Sequence, residues 1–350
     1  ADAVLQHAIL QINAKEFAKA QKALGGLIKT QPEHPKMDSA IFYLGLCMAR
    51  QKQWSEAVKN FKLLLSEYPK STVRDRTLYE WAWCEKGANN TEAAAELYAR
   101  FLGDYASSPL AKDVAFELAE LEFENKRYDE SIARLQKLTK GAPKELQAKV
   151  LYRLGWCYFS KNDMAKAAKF FEAMLAQDNK SPMATMAHYQ AGEAQLKLKV
   201  YEPARNHFAA VVGRKSPIQE QSLLRLGECQ ALTGQWPQSQ QTCASFLKSY
   251  PKSKLAPRAR LGLGWAMENQ QKYAEAIAEY RKVIAAGKRD ATSARCQFQI
   301  GECLFAIKKF DEAIKELTLV EVKYGFAEWN AKALLEIGKA LQGKGDTAAA

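Results

Sequence analysis

Apolar positions along the chain recur at helical spacing in short blocks, and the blocks are separated by polar breaks. Residues 38 to 74 show the unit. Ile41, Leu44, Gly45 and Met48 fall on one helical face, Gln51-Lys52-Gln53 interrupts, and Trp54, Ala57, Val58, Phe61, Leu64 and Leu65 resume the period. Asp38 and Ser39 carry short side-chain oxygens of the kind that cap a helix start. Tyr68-Pro69 closes the second block, because proline cannot continue a helix and disfavours the α region in the residue before it. The pattern predicts helix A, a tight turn, helix B and a loop. No stretch sustains period-2 alternation, so no sheet is expected.

This unit is copied along the whole chain. A small residue stands at Ala8, Gly45, Ala82, Ala119, Gly155, Gly192, Gly227, Gly264, Gly301 and Gly338, at spacings of 35 to 37 residues. Twelve residues after each comes a second small one, at Ala20, Ala57, Ala94, Ser131, Ala167, Ala204, Ser239, Ala276, Ala313 and Ala350. The pair of small residues lets helices A and B approach closely. Four residues further on, Phe61, Tyr98, Leu135, Phe171, Phe208, Tyr280 and Leu317 are expected to fill the space between adjacent helices. One hairpin cannot bury such a face alone, so stacked neighbours complete the core. The expected fold is all-α: a single solenoid over residues 1–350, with repeats starting near 1, 38, 75, 112, 148, 185, 220, 257, 294 and 331.

The pattern small–x11–small–x3–aromatic, with a Tyr-Pro close to the second helix, resembles the tetratricopeptide repeat. Leu44-Gly45, Leu154-Gly155, Leu226-Gly227, Ile300-Gly301 and Ile337-Gly338 match that family's Leu-Gly pair. The resemblance implies a right-handed superhelix that acts as a binding scaffold, with helix A lining the concave surface. Two features depart from the family: a period near 37 rather than about 34, and proline closing the repeat cleanly only at Pro69 and Pro251. The longer period, Tyr152-x-x-Gly155, Tyr189-x-x-Gly192 and the endings Tyr68-Pro69-Lys70-Ser71 and Tyr250-Pro251-Lys252-Ser253 resemble a bacterial envelope branch. That branch includes the Tol–Pal coordinator, the outer-membrane-assembly lipoprotein and exopolysaccharide-export scaffolds. It implies a periplasmic or envelope location, within reach of a membrane-associated complex.

Composition refines the picture in few places. The net charge is +12, with 39 acidic residues interleaved among 51 basic ones and no block of either sign. A moderately basic solvated surface accounts for this balance. No apolar run approaches the roughly 18 residues of a membrane helix, and no signal peptide is visible. The chain begins Ala1-Asp2-Ala3, as expected of a processed form or an excised fragment. The second helix of the tenth unit would begin near Asp346, so a longer protein is expected.

Candidate chemistry is sparse. Cys47, Cys84, Cys157, Cys229 and Cys303 each lie two residues after the small residue, a slot that Leu10, Leu121, Ala194, Ala266 and Ala340 fill elsewhere. Such a slot is buried and apolar, so free thiols are expected rather than disulfides or zinc ligands. Seven reduced thiols point toward a reducing, cytoplasmic compartment, against the envelope resemblance. Cys243 and Cys296 fall outside that slot. His7, His34, His188 and His207 share no metal-ligand spacing. No nucleotide-binding loop or nucleophile elbow occurs, and no carboxylate pair suggests acid–base work. A non-enzyme without cofactor, metal or small-molecule substrate is expected.

Two slots on helix A are the candidate partner contacts. The slot directly after the small residue holds Trp83, Trp156 and Trp265 in three repeats and Glu120, Glu193, Glu228 and Glu302 in four. The slot seven residues earlier, two turns along the same face, holds Arg76, Lys149, Arg258, Arg295 and Lys332. Either these form a groove with tryptophan anchors between charged rows, or the rows pair between repeats and the tryptophans pack on a neighbouring helix. A stripe at Phe42, Tyr79, Phe116, Tyr152, Tyr189 and Phe298 is read as interhelical core. The expected ligand is a peptide or protein domain in the concave groove. A polysaccharide-export scaffold whose aromatics contact glycans and an RNA-binding helical repeat are the alternatives, and the glutamate row argues against RNA. The carboxylate clamp by which some family members hold chaperone C-termini is not matched, because its positions carry aromatic, aliphatic or acidic residues.

Overall fold

A computed structural model describes residues 2–345. Among them are nineteen α-helices and no strand. Ala350 and the helix expected from Asp346 lie outside the described residues. Two compact units divide the chain, residues 1–162 and residues 163–350. The first holds α1 (Asp2–Asn13), α2 (Phe17–Thr30), α3 (Met37–Arg50), α4 (Trp54–Glu67), α5 (Arg74–Gly87), α6 (Thr91–Asp104), α7 (Ala111–Glu124), α8 (Tyr128–Leu138) and α9 (Lys144–Ser160). The second holds α10 (Met164–Gln177), α11 (Ala184–Lys197), α12 (Tyr201–Val212), α13 (Gln219–Leu232), α14 (Trp236–Ser249), α15 (Ala256–Glu268), α16 (Tyr273–Ile284), α17 (Ala291–Ala306), α18 (Phe310–Tyr324) and α19 (Ala327–Lys344).

Within each unit every helix packs on its neighbours in sequence, the order expected of an α-solenoid. Alternate helices also touch: α1 with α3, α3 with α5 and α7 with α9 in the first unit, and α13 with α15, α15 with α17 and α17 with α19 in the second. These alternate helices are the A helices of consecutive repeats. One local expectation is corrected. Asp38 and Ser39 do not cap α3, which already begins at Met37; Asp38 Oδ1 instead accepts the Ser39 N–H at 2.7 Å inside the first turn.

The small residues do the packing their spacing suggests. A Cβ added at Gly45 would fall 2.6 Å from Phe61, one at Gly192 would fall 2.9 Å from Phe208, and one at Gly264 would fall 2.5 Å from Tyr280. Phe61, Tyr98, Leu135, Phe171, Phe208, Tyr280 and Leu317 are all fully buried. Where the second small residue is serine, its hydroxyl clamps the hairpin. Ser131 Oγ donates to the Ala119 carbonyl and Ser239 Oγ to the Gly227 carbonyl, both at 2.8 Å. The aromatic stripe meets the same buried residues from helix A, with Phe42 6.3 Å from Phe61, Tyr79 6.1 Å from Tyr98 and Tyr189 5.7 Å from Phe208 between ring centroids.

The A-to-B turn repeats as faithfully as the core. Seven residues after each small residue the chain enters the left-handed region, at Lys15, Lys52, Asn89, Lys126, Asn162, Lys199, Gly234, Gln271, Lys308 and Gly345. At Lys52 and Lys126 the next residue donates its N–H back across the turn, Gln53 to the Met48 carbonyl at 2.9 Å and Arg127 to the Glu122 carbonyl at 2.8 Å. This is the Schellman closure that satisfies a helix C-terminus.

Candidate functional site

Within each unit the A helices of consecutive repeats lie side by side, so the C-terminal half of one faces the middle or the N-terminal part of the next. The candidate slots obey this rule. Glu120 on α7 forms a two-pronged ion pair with Arg153 on α9. Glu193 on α11 accepts from Arg225 on α13 at 2.6 and 2.9 Å. Glu228 on α13 is held by Arg225 at 3.0 Å and by Arg258 on α15 at 2.5 Å. The acidic row is therefore largely matched across repeats. Its main partner is a third row that sequence reasoning missed, two residues before the small residue, which supplies Arg153 and Arg225. Only Glu228 pairs with a member of the basic row, Arg258.

Two of the tryptophans share one geometry. Trp83 on α5 meets Trp54 of α4 edge to face, with centroids 5.3 Å apart and planes at 75°. Trp265 on α15 meets Trp236 of α14 at 5.3 Å and 73°. In both cases the partner opens the preceding helix B. These indoles are wedges between repeats, and each keeps part of its surface open. Arg50 caps Trp83 at 4.6 Å while its guanidinium grips Glu80 at 2.8 and 2.9 Å. Trp156 is half-buried on α9, 5.9 Å from Phe159 and 6.4 Å from Tyr152.

The basic row is the outward member of the set. Arg76, Lys149, Arg258 and Lys332 are exposed, and Arg295 is half-buried. In the second unit this row borders two grooves. One of about 310 Å³ is lined by Leu196, Arg225, Glu228, Leu261, Trp265 and Arg295, among others. The other, of about 340 Å³, is lined by Arg295, Phe298, Glu302, Trp329, Lys332 and Glu336, among others. Arg295 separates them. Its guanidinium carbon lies 5.3 Å from the Trp265 ring and 5.8 Å from the Trp329 ring, and Lys332 Nζ lies 4.3 Å from Trp329. Sequence reasoning missed Trp329, nine residues before Gly338 in the slot of Val73, Leu110 and Leu255, as part of this surface.

Two clusters of titratable groups accompany the grooves. Burial, together with the nearby carboxylates of Glu268 and Glu336, pushes Glu302 up to about 7. Glu268 itself accepts from Tyr280 Oη at 2.6 Å and from Gln299 at 2.9 and 3.0 Å. Elsewhere in the unit His188 on α11 and His207 on α12 meet Nδ1 to Nδ1 at 2.9 Å. The pair joins a helix A to its own helix B at an offset of nineteen residues, the offset that also joins Arg260 to Glu279 and Gln297 to Glu316. All seven cysteines are buried and free, Cys243 and Cys296 included. Burial pushes their thiols up, to about 11 at Cys47 and about 12 at Cys84, Cys229, Cys243 and Cys296. Cys243 occupies the large-apolar slot that holds Phe61, Phe208 and Tyr280 elsewhere. Among the described residues no group of three or more His, Cys, Asp or Glu side chains is arranged to hold a metal ion, and no helix is long and apolar enough to cross a membrane.

Comparison with known proteins agrees with this architecture. No protein with a curated description matches the chain. Among solved structures, the C-terminal part of a TPR repeat-containing protein from Cytophaga hutchinsonii superposes with a TM-score of 0.60 at 13% identity, over 73% of this chain and 98% of that one. PilW, a widely conserved type IV pilus biogenesis factor, superposes with a TM-score of 0.50 at 14% identity, over 63% of this chain and 97% of that one. At such identities the likeness concerns the fold. Tetratricopeptide repeat profiles match residues 39–71, 79–145, 128–182 and 233–291, together more than half of the sequence. The repeat register, the hairpin packing and these matches agree: the chain belongs to the tetratricopeptide repeat family.

Proposed function

We propose that this protein is a non-catalytic scaffold that holds a peptide or protein domain against the A-helix face of its repeats. The observation that carries the reading is the surface formed by α13, α15, α17 and α19. There Arg258, Arg295 and Lys332 stand in one row beside the part-open rings of Trp265 and Trp329 and border two grooves. Arginine and tryptophan are the residues that most often dominate protein interfaces. Arg76, Lys149, Trp83, Trp156 and Glu120 are the corresponding positions of the first unit. The proposed setting is assembly or secretion in a bacterial envelope, supported by the Tyr-Pro-Lys-Ser repeat endings and by the fold shared with a pilus biogenesis factor.

Site-specific photocrosslinking tests the reading. A benzophenone side chain in place of Arg258 or Lys332, in cells that make the protein, should trap one partner. The same probe at Lys315, exposed on α18, should trap none. Equal trapping from both faces would overturn the assignment of the A-helix face. Fractionation of the same cells tests the envelope setting.

A further inference from the structure

The groove between α13 and α15 exists because one repeat omits a side chain that others supply. In the fifth and seventh repeats the slot two residues before the small residue is an arginine, and it reaches back to the glutamate that follows the small residue of the preceding repeat: Arg153 to Glu120 and Arg225 to Glu193. In the eighth repeat that slot is Gly262. A Cβ there would meet a single heavy atom within 4 Å, Cys243 Sγ at 3.1 Å. Glu228, the carboxylate that an arginine at this slot would reach, is held by Arg225 and Arg258 instead. The space left over is the groove of about 310 Å³. Leu196, Leu232, Leu261 and Trp265 line it, and Leu232 is 41% exposed.

The charges around this space do not balance. Three guanidiniums line the groove against the single carboxylate of Glu228. Arg225 serves both Glu193 and Glu228, and Arg258 serves Glu228. Arg295 has no carboxylate within ion-pair distance among the described residues, and its Nε is buried without a hydrogen-bond partner. Its guanidinium carbon rests beside Trp265 and Trp329, and the carboxylates of Glu268 and Glu328 act on it only from beyond ion-pair distance. We infer that the Gly262 groove takes a bulky aliphatic or aromatic side chain of a partner polypeptide whose adjacent residue is an aspartate or glutamate, and that Arg295 binds that carboxylate. The inference rests on the scaffold reading and names the chemistry of its partner. Apolar walls reward the side chain by burial, and a charge-assisted bond to a preorganised arginine fixes its register.

Fluorescence anisotropy of the whole chain with labelled nonapeptides tests this. One series carries a Glu-Leu-Phe-Asp core, a second the amide core Gln-Leu-Phe-Asn, and a third Glu-Ala-Ala-Asp; a ten-nucleotide oligouridine is the nucleic-acid arm. The acidic-apolar series should bind at least tenfold more tightly than the other two and than the RNA. Gly262→Gln, which installs the residue found at the same slot as Gln190 and Gln299, should abolish the preference. Arg295→Gln should reduce affinity tenfold with an unchanged circular dichroism spectrum, so the test stands even if Gly262→Gln disturbs packing against Cys243. Indifference to the amide core, insensitivity to both variants, tighter RNA binding or no acidic peptide bound at millimolar concentration would overturn the inference. A partner trapped from positions 258 and 332 alongside any of those results would leave the scaffold reading standing and remove only this one.

Discussion

The ring of Tyr280 occupies the space in which a side chain at Gly264 would begin, with Cε1 2.5 Å from where the Cβ would fall. Helix propensity favours alanine over glycine by about 1 kcal/mol in a helix interior. Overpacking costs about 1–3 kcal/mol, and Tyr280 is fully buried with its hydroxyl tied to Glu268, so it cannot swing aside. Overpacking wins, and Gly264→Ala should lower stability by up to about 2 kcal/mol. Gly25, in α2, has nothing within 4 Å of its Cβ position. Gly25→Ala should therefore raise stability by about 0.5–1 kcal/mol. Thermal melts of the two variants check the pair, and stabilisation in both would show that helix propensity alone governs these sites.

The left-handed turn residues carry an unequal burden. Lys126 adopts φ 60° and Gly234, at the equivalent turn, φ 73°. A residue with a Cβ is disfavoured there by about 1 kcal/mol relative to glycine. Lys126→Gly should raise stability, less the entropy that glycine adds to the unfolded chain, for a net gain of a few tenths of a kcal/mol. Gly234→Ala should lose about 1 kcal/mol. Denaturant midpoints report both. Stabilisation by Gly234→Ala would show that the turn relaxes out of the left-handed region.

Much of this architecture is legible in one sequence because helix–helix contacts within a hairpin are local. Gly45 meets Phe61 at a fixed offset of sixteen residues, so a single register exposes the contact in repeat after repeat. The A-helix surface is less legible because its contacts join neighbouring repeats at variable offsets. Glu120 pairs over thirty-three residues with Arg153, whereas Glu228 pairs over thirty with Arg258. A tryptophan at a periodic slot reads equally as a ligand anchor or a wedge, and only the Trp54–Trp83 and Trp236–Trp265 contacts show the wedge. Trp329 falls in the slot of Val73, Leu110 and Leu255, and His188–His207 in the slot pair of Arg260–Glu279 and Gln297–Glu316, but the residue types at these slots change from repeat to repeat, so periodicity places them without revealing the contact.

Glu302 links stability to pH on the alkaline side. Its carboxyl is raised from the ordinary 4.5 to about 7, first by burial and then by Glu268 and Glu336. The folded state therefore binds a proton that the unfolded state has released. That contribution is whole below pH 4.5 and is lost as pH rises through about 7. Glu302→Gln keeps the neutral shape and removes the titration. Discounted for the solvent that still reaches the carboxyl, the variant should exceed the parent by roughly 1–2 kcal/mol at pH 8, with the gap closing as pH falls toward 4.5. Melting curves at pH 5 and pH 8 decide it; a gap that does not depend on pH would show that Glu302 is not protonated in the fold.

The paired histidines act on the acid side, and their hydrogen bonds fix which ring carries which proton. Arg214 donates to Asn179 Oδ1 at 2.8 Å, so that oxygen faces His188 Nε2, also at 2.8 Å, as an acceptor. His188 Nε2 must then carry the proton, and His188 Nδ1 must accept from His207 Nδ1–H. Protonating His188 would set two N–H groups against each other. Burial first, then the charges of His207 and Arg214, lower His188 from 6.5 to about 4. Burial also lowers His207, against the pull of Glu172 3.6 Å from its Nε2. Because the folded values lie below the unfolded one, the contribution is whole above pH 6.5 and is lost as pH falls toward about 4. The parent should lose roughly 2 kcal/mol more than His188→Gln across that window, since glutamine cannot titrate and the shared carboxylates cancel in the comparison. Tryptophan-fluorescence unfolding at pH 7 and pH 4.5 measures the difference, and equal acid sensitivity in parent and variant would remove the histidine pair as its source.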